Sequence, residues 1–158
     1  CDIHDGVIGL TLLKSAVYPN PDADREHHSF AYSLCPHEGS WKTAGITQKA
    51  YAFNNPMEVM VKEESGGTVA AGQAFVQTDS DNVIVEVVKP ADDGNGMIVR
   101  LYEFFNRDSV TALKLAAPVK AAFRCDMLEQ DQEELVVDGD TVSLHMKPYE
   151  IQTVRIVM

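Results

Sequence analysis

The residues best equipped for chemistry crowd into one stretch, "DADREHHSFAYSLCPHEG" at 22–39. It carries three of the chain's five histidines beside the carboxylates Asp22, Asp24, Glu26 and Glu38. Three readings compete: an active site, a metal site, or a polar loop feeding a strand. Zinc needs ligands that converge, as HExxH on one helix or paired CxxC elements do. Neither spacing occurs in the chain. His27 and His28 are adjacent, so on an extended backbone they point to opposite faces, and His37 with Glu38 falls on a turn. Surface histidines flanking a strand are therefore expected. A small metal-dependent enzyme built on this loop is the rival, and it requires metal in the purified protein.

Other candidates are thinner. The "DDGNG" loop at 92–96 is calcium-like only in composition, without the alternating acidic ligands and distant bidentate Glu of an EF-hand, and reads as a solvated turn. No GxSxG occurs, and "ESGG" at 64–67 lies in an expected loop without strand and helix context. A stand-alone carbohydrate-binding module, the second rival, offers sugars several exposed aromatics. The chain has one tryptophan, Trp41, which is expected to pack a helix onto a sheet. Carboxylate pairs are plentiful among 24 acidic residues, so abundance alone does not mark the separation of roughly 5–10 Å that glycoside hydrolysis needs.

The elements that must position these residues are mostly strands. Apolar residues recur at every second position, the pattern of a strand with one buried face. Phe30, Tyr32 and Leu34 alternate with Ser29, Ala31 and Ser33, and are expected to point inward from a core strand. Val83, Val85 and Val87 share one face, with Glu86 on the other; Met97, Val99 and Leu101 oppose Ile98, Arg100 and Tyr102. The same reading covers "VIGLTLL", "MEVMV", "QAFVQT", "VTALKLA", "KAAFRCDML", "TVSLHM" and "IQTVRIV", bounded by Gly, Pro, Asn and Asp clusters. "VVKPADDGNGMIVRLYEFF" reads as an antiparallel pair joined by a long loop whose glycines take positive φ.

About ten short strands at this spacing imply an antiparallel β-sandwich, mainly β, in which two sheets cover each other's apolar faces. One segment departs from the pattern. "SWKTAGITQKAYAFNNP" sets Ile46, Ala50 and Phe53 at helical spacing, with Ser40 as N-cap and Asn54, Asn55 and Pro56 as the stop. One short helix is expected there, weakened at Gly45 by about 1 kcal/mol relative to Ala.

The whole chain sets the bounds. Its 158 residues fit a single domain, 1–158. A hydrophobic content of 45% with 23% charged residues argues against disorder. The net charge of −11 without any basic run argues against nucleic acid or an anionic membrane as partner. Three cysteines without CxxC spacing read as reduced thiols, and hence as a cytoplasmic setting. No apolar run approaches the roughly 20 residues that span a bilayer. The opening "CDIHDGVIGLTLLKS", without an initiator Met, reads as cut from something longer.

Several spaced words in the chain resemble the carboxy-terminal β domain of glycoside hydrolase family 38, the α-mannosidases. "LLKSAVYPNPDADREHHSFAYSLCPHEGSW" is similar to the family's strand, its "YPDP"-like turn, its "D-x-G-x-H-x-F-x-Y-x-L-x-P-H" run and its helix start. Asp24, His28, Phe30, Tyr32, Leu34, Pro36 and His37 match that run, whereas Glu26 stands where the family tends to have Gly. "AYAFNNP" resembles the helix end, "VRLYE" the central strand, and "KPYEIQTVRI" the closing strand. The order runs from about Gly9 to Ile156, nearly the whole chain.

The resemblance implies a carboxy-terminal β-sandwich from a zinc-dependent, retaining α-mannosidase. In that family the Asp nucleophile and the zinc ligands belong to an amino-terminal α/β domain. No residue here matches them, so none is carried over as catalytic or metal-binding, and the isolated chain is expected to be inactive. Its partner would be the catalytic domain of the same parent chain, whose substrate is a mannose-containing oligosaccharide. A sheet face left bare by the cut would favour self-association. Loops of the family's β domains approach the sugar pocket, so Asp24, Arg25 and His28 are the expected substrate-binding residues, on a loop facing the cleft.

Overall fold

The computed structural model describes residues 1–61 and 72–158, so the loop expected at 64–67 lies outside the described residues. The described chain is mainly β and divides into two compact units, Cys1–Met57 and Glu58–Met158.

The second unit is a β-sandwich, with nine strands among its described residues. One sheet holds β3 (Val76–Thr78), β6 (Ser109–Leu115), β9 (Val137–Asp138) and β10 (Thr141–Met146), in the order β3-β6-β10-β9. The other holds β4 (Val83–Pro90), β5 (Met97–Glu103), β7 (Ala121–Cys125), β8 (Asp131–Glu134) and β11 (Ile151–Val157), in the order β4-β5-β11-β7-β8. All neighbours are antiparallel. Alternation places Met97, Val99 and Leu101 of β5 with Val154 and Ile156 of β11 on one inner face. Leu113 and Leu115 of β6 with Val142, Leu144 and Met146 of β10 supply the other. Burying each such side chain stabilises the unit by about 1.5–3 kcal/mol.

Two details correct the sequence reading of this unit. A bulge between Val85 and Val87 inserts Glu86 as an extra residue, so Val85 faces Leu101 but Val87 faces Arg100. Val87 therefore leaves the face of Val83 and Val85, as one inserted residue inverts the alternation beyond it. The 120–128 run is a strand only over Ala121–Cys125; beyond it, Asp126 accepts the N–H groups of Leu128 and Gln130 and turns the chain. The long hairpin loop is as expected. Gly96 has φ +85, and an added Cβ there would lie 2.3 Å from the Ile156 carbonyl oxygen, so both conformation and space demand glycine.

The first unit has two short strands, β1 (Asp2–His4) and β2 (Val7–Gly9), paired antiparallel across Asp5 and Gly6. The strand expected over 7–13 thus stops at Gly9. Helix α1 spans Ile46–Asn54, starting later than its Ser40 cap suggested. Ser40 Oγ accepts the Thr43 N–H within a preceding turn, and Gly45 at φ 63 separates that turn from the helix. Gly45 breaks the run rather than merely weakening it. The stop is as expected: the Asn54 and Asn55 side chains donate to the carbonyls of Ala50 and Tyr51.

Residues 27–36 form no strand, and Phe30, Tyr32 and Leu34 are exposed, not inward. Residues 57–61, "MEVMV", likewise form no strand and are exposed. Alternation sets the two faces of an extended segment, but a ladder also needs a neighbouring strand, and neither segment has one among the described residues. Trp41, expected to pack a helix onto a sheet, lies in the turn before α1 and is 43% exposed, with the Lys42 ammonium 5.4 Å from its ring centre.

Candidate functional site

The histidine-rich stretch begins as a loop held by its own short contacts. The Asn20 side chain accepts the Asp22 N–H, and the Asn20 carbonyl accepts the Ala23 N–H. Asp24 then takes the left-handed conformation, φ 56. An aspartate tolerates this region better than most residues. The positive φ of the loop thus falls at Asp24, and Glu26 keeps a negative φ without strain.

The left-handed turn presents the Asp24 carbonyl to His28, whose Nε2 lies 2.9 Å away. A carbonyl only accepts, so Nε2 carries the proton and Nδ1 of the neutral ring is the acceptor. The His28 ring stacks on Phe30 at 5.8 Å between centroids. Arg25 pairs with Asp22 at 2.8 Å rather than with Asp24. Asp24, Arg25 and His28 therefore sit within one turn and the extended segment that follows it, with the Asp24 carboxylate and His28 Nδ1 turned to no described partner. A carboxylate, a guanidinium and an imidazole at this spacing can hydrogen-bond the hydroxyls of a polyol.

The second charged assembly lies on the outer face of the five-stranded sheet. Arg155 on β11 is 4% exposed. It donates to Asp131 Oδ1, to Asp93 Oδ1, to the Asn95 carbonyl, all at 2.8 Å, and to the Glu129 carbonyl at 2.7 Å. The Asp93 bond, opposed by burial and aided by Asp131, raises the guanidinium's affinity for its proton. Glu129, also buried, accepts the Asp92 N–H and pairs with Lys89, which hold its carboxyl below the usual range. These contacts fasten the β4–β5 and β7–β8 loops over the sheet. The four acids lining the open cleft of about 320 Å³ beside Arg155 are all engaged, Asp92 and Glu129 by Lys89 and Asp93 and Asp131 by Arg155.

A third polar residue is placed inside the sandwich. Glu103, 2% exposed, ends β5 on the same face as Met97, Val99 and Leu101. Its carboxylate accepts from Asn82 Nδ2 at 2.8 Å, Phe105 N at 2.7 Å and Tyr149 N at 2.9 Å. Burial acts to raise its pKa, but these donors, Tyr149 foremost, outweigh burial and hold it below the usual carboxylate value. Its parity along "MIVRLYE" was the available signal that an acid faces inward.

Cys125 is buried beside Asp131, and burial together with that carboxylate pushes its thiol up to about 11. It is not a thiolate nucleophile at neutral pH. Among the described residues, no three His, Cys, Asp or Glu side chains converge to hold a metal ion, and His27, His28 and His37 form no such set.

Comparison with known proteins gives this geometry its context. Residues 82–154 match the model of the glycosyl hydrolases family 38 C-terminal beta sandwich domain. Alpha-mannosidase G of Dictyostelium discoideum is 31% identical over 96% of this chain and 14% of its own length. Alpha-mannosidase 2C1 of Homo sapiens is 29% identical over 99% of the chain and 15% of its own length. Alpha-mannosidase of Saccharomyces cerevisiae is 22% identical over 97% and 16%. The chain thus spans about a seventh of the length of the curated relatives it matches, and the matches to these relatives cover nearly all of it.

Proposed function

We propose that the chain is the carboxy-terminal part of an α-mannosidase that hydrolyses α-mannosidic bonds, a reading supported by the match of residues 82–154 to the model of the glycosyl hydrolases family 38 C-terminal beta sandwich domain. The observation that carries this reading is the match to α-mannosidases along 96–99% of the chain. In this reading the reaction is retaining. Zinc and the nucleophile belong to the catalytic domain of the same polypeptide, and mannose-containing oligosaccharide is the substrate. The acids and cations of the sandwich lock one another, which suits a supporting role. A cytoplasmic setting is part of the reading, supported by three unpaired cysteines.

Asp24, Arg25 and His28 reach toward the substrate cleft. Their support is chemical: the Asp24 carboxylate and His28 Nδ1 are available to sugar hydroxyls, and the turn at Asp24 orients both. The test is Asp24→Ala and His28→Ala in the full-length polypeptide, assayed on an aryl α-mannoside. A roughly tenfold loss in kcat/KM, equal to about 1.4 kcal/mol of transition-state stabilisation, is expected from losing one or two sugar hydrogen bonds. Unchanged kcat and KM with unchanged stability would remove the cleft role.

A further inference from the structure

Residues 28–35 are built like a strand that lies between two layers. On one side, Ala31, Ser33 and Cys35 line a groove of about 520 Å³ whose other wall is α1, through Ile46, Ala50 and Phe53. Strand periodicity turns Phe30, Tyr32 and Leu34 the other way. They are 49%, 72% and 77% exposed. Small side chains toward a helix and large apolar ones away from it make sense only if a second layer covers the large ones. The backbone gives an independent sign: residues 27–36 make no backbone-to-backbone hydrogen bond among the described residues, so both edges are open to pairing. Finally, none of residues 1–57 is buried. A stretch of that length that folded on its own would bury more than half of its surface.

We propose that residues 28–35 add as a β-strand to a sheet contributed by the preceding part of the same polypeptide, which seals Phe30, Tyr32 and Leu34. This rests on the reading of the chain as part of a longer α-mannosidase. The relatives share residues 1–57 with this chain yet carry most of their length outside it, which supplies the occupant. A second copy fits less well, because two chains of net charge −11 repel. His28 shares the aromatic face through its stack on Phe30, so the same docking would hold the Asp24–His28 turn in place.

Hydrogen–deuterium exchange on peptides covering 28–35 tests this, with the 158-residue chain and the full-length polypeptide compared at equal pH and the full-length sample assayed on an aryl α-mannoside. Exchange at least 100-fold slower in the full-length polypeptide is expected, as for amides entering a ladder. Equal rates would overturn the strand addition, and mannosidase activity in that sample would leave the parent reading standing. Protection in a sample inactive on α-mannosides would do the reverse. Protection already present in the 158-residue chain, together with a dimeric mass in solution, would overturn the proposal by making a second copy the occupant.

Discussion

Glu103→Gln removes one charge and almost no volume, which makes it a clean probe of the buried carboxylate. In the wild-type unit one oxygen accepts from Asn82 and Phe105 and the other from Tyr149. A glutamine can keep its carbonyl oxygen toward only one of these groups, and its better choice faces Asn82 and Phe105. The amide NH2 then opposes the Tyr149 N–H, leaving a buried donor unsatisfied at a cost of about 1–3 kcal/mol. The two remaining bonds lose their charge assistance, worth about 1 kcal/mol each. The smaller desolvation cost of a neutral amide offsets part of this loss. A net loss of about 3 kcal/mol at pH 7 follows from these terms. Urea unfolding of the 158-residue chain, followed by circular dichroism, reads it as a lower midpoint at unchanged m.

The same carboxylate predicts a pH dependence whose sign can be worked out. Its folded-state pKa lies below the unfolded value near 4.5, so its stabilisation is fully present above that value. It is lost as pH falls past the unfolded pKa and through the folded one. The gap between wild type and Glu103→Gln should therefore narrow from pH 6 to pH 3. A gap below about 0.5 kcal/mol at pH 7, or one that is constant across this range, would refute the assignment of Glu103 as an ionised acceptor.

Three further outcomes are expected. Gly96→Ala places a Cβ 2.3 Å from the Ile156 carbonyl at positive φ, and should lower stability by about 2–4 kcal/mol in the same urea assay. Titration of the native chain with a thiol reagent at pH 8 should count two fast thiols, the exposed Cys1 and Cys35. Cys125, buried and pushed up to about 11, should react only after denaturation. Arg155→Met leaves Asp93 and Asp131 without their cation. Because both acids are partly exposed and can rehydrate, the loss should be about 2–3 kcal/mol, below the full cost of orphaning a buried charge, as read by the urea midpoint.

How far the structure was legible in the sequence depended on whether an element's neighbours are in the chain. The segments of β5, β6, β10 and β11 were read correctly as strands, and the split of Met97, Val99 and Leu101 from Ile98, Arg100 and Tyr102 holds, because each strand finds its partner nearby and the inner faces meet in one core. For 27–36 the same alternation was read as a core strand, and the structure instead leaves Phe30, Tyr32 and Leu34 exposed. The periodicity specified a face but not what covers it. Val87 went astray for a local reason, since the one-residue bulge at Glu86 inverts the alternation beyond it, and a single polar residue between valines reads equally well as the outward position of a regular strand.

The polar network escaped for a different reason. "DDGNG" was read as a solvated turn, yet Asp93 and the Asn95 carbonyl hold a buried arginine some sixty residues later in the chain. Residue type shows that a loop is acidic; only the fold shows which cation it meets. Asp24, Arg25 and His28 were singled out together only through what the family resemblance of the sequence implies. The left-handed turn and the His28–Asp24 carbonyl bond that orient them are conformational facts outside its reach.

The central claim is that this β unit serves an α-mannosidase without containing a reaction centre of its own. Initial rates on an aryl α-mannoside, measured for the full-length polypeptide and for the 158-residue chain at matched concentration, test it most directly. The account predicts turnover by the former and none above background by the latter. Hydrolysis by the 158-residue chain alone would contradict it.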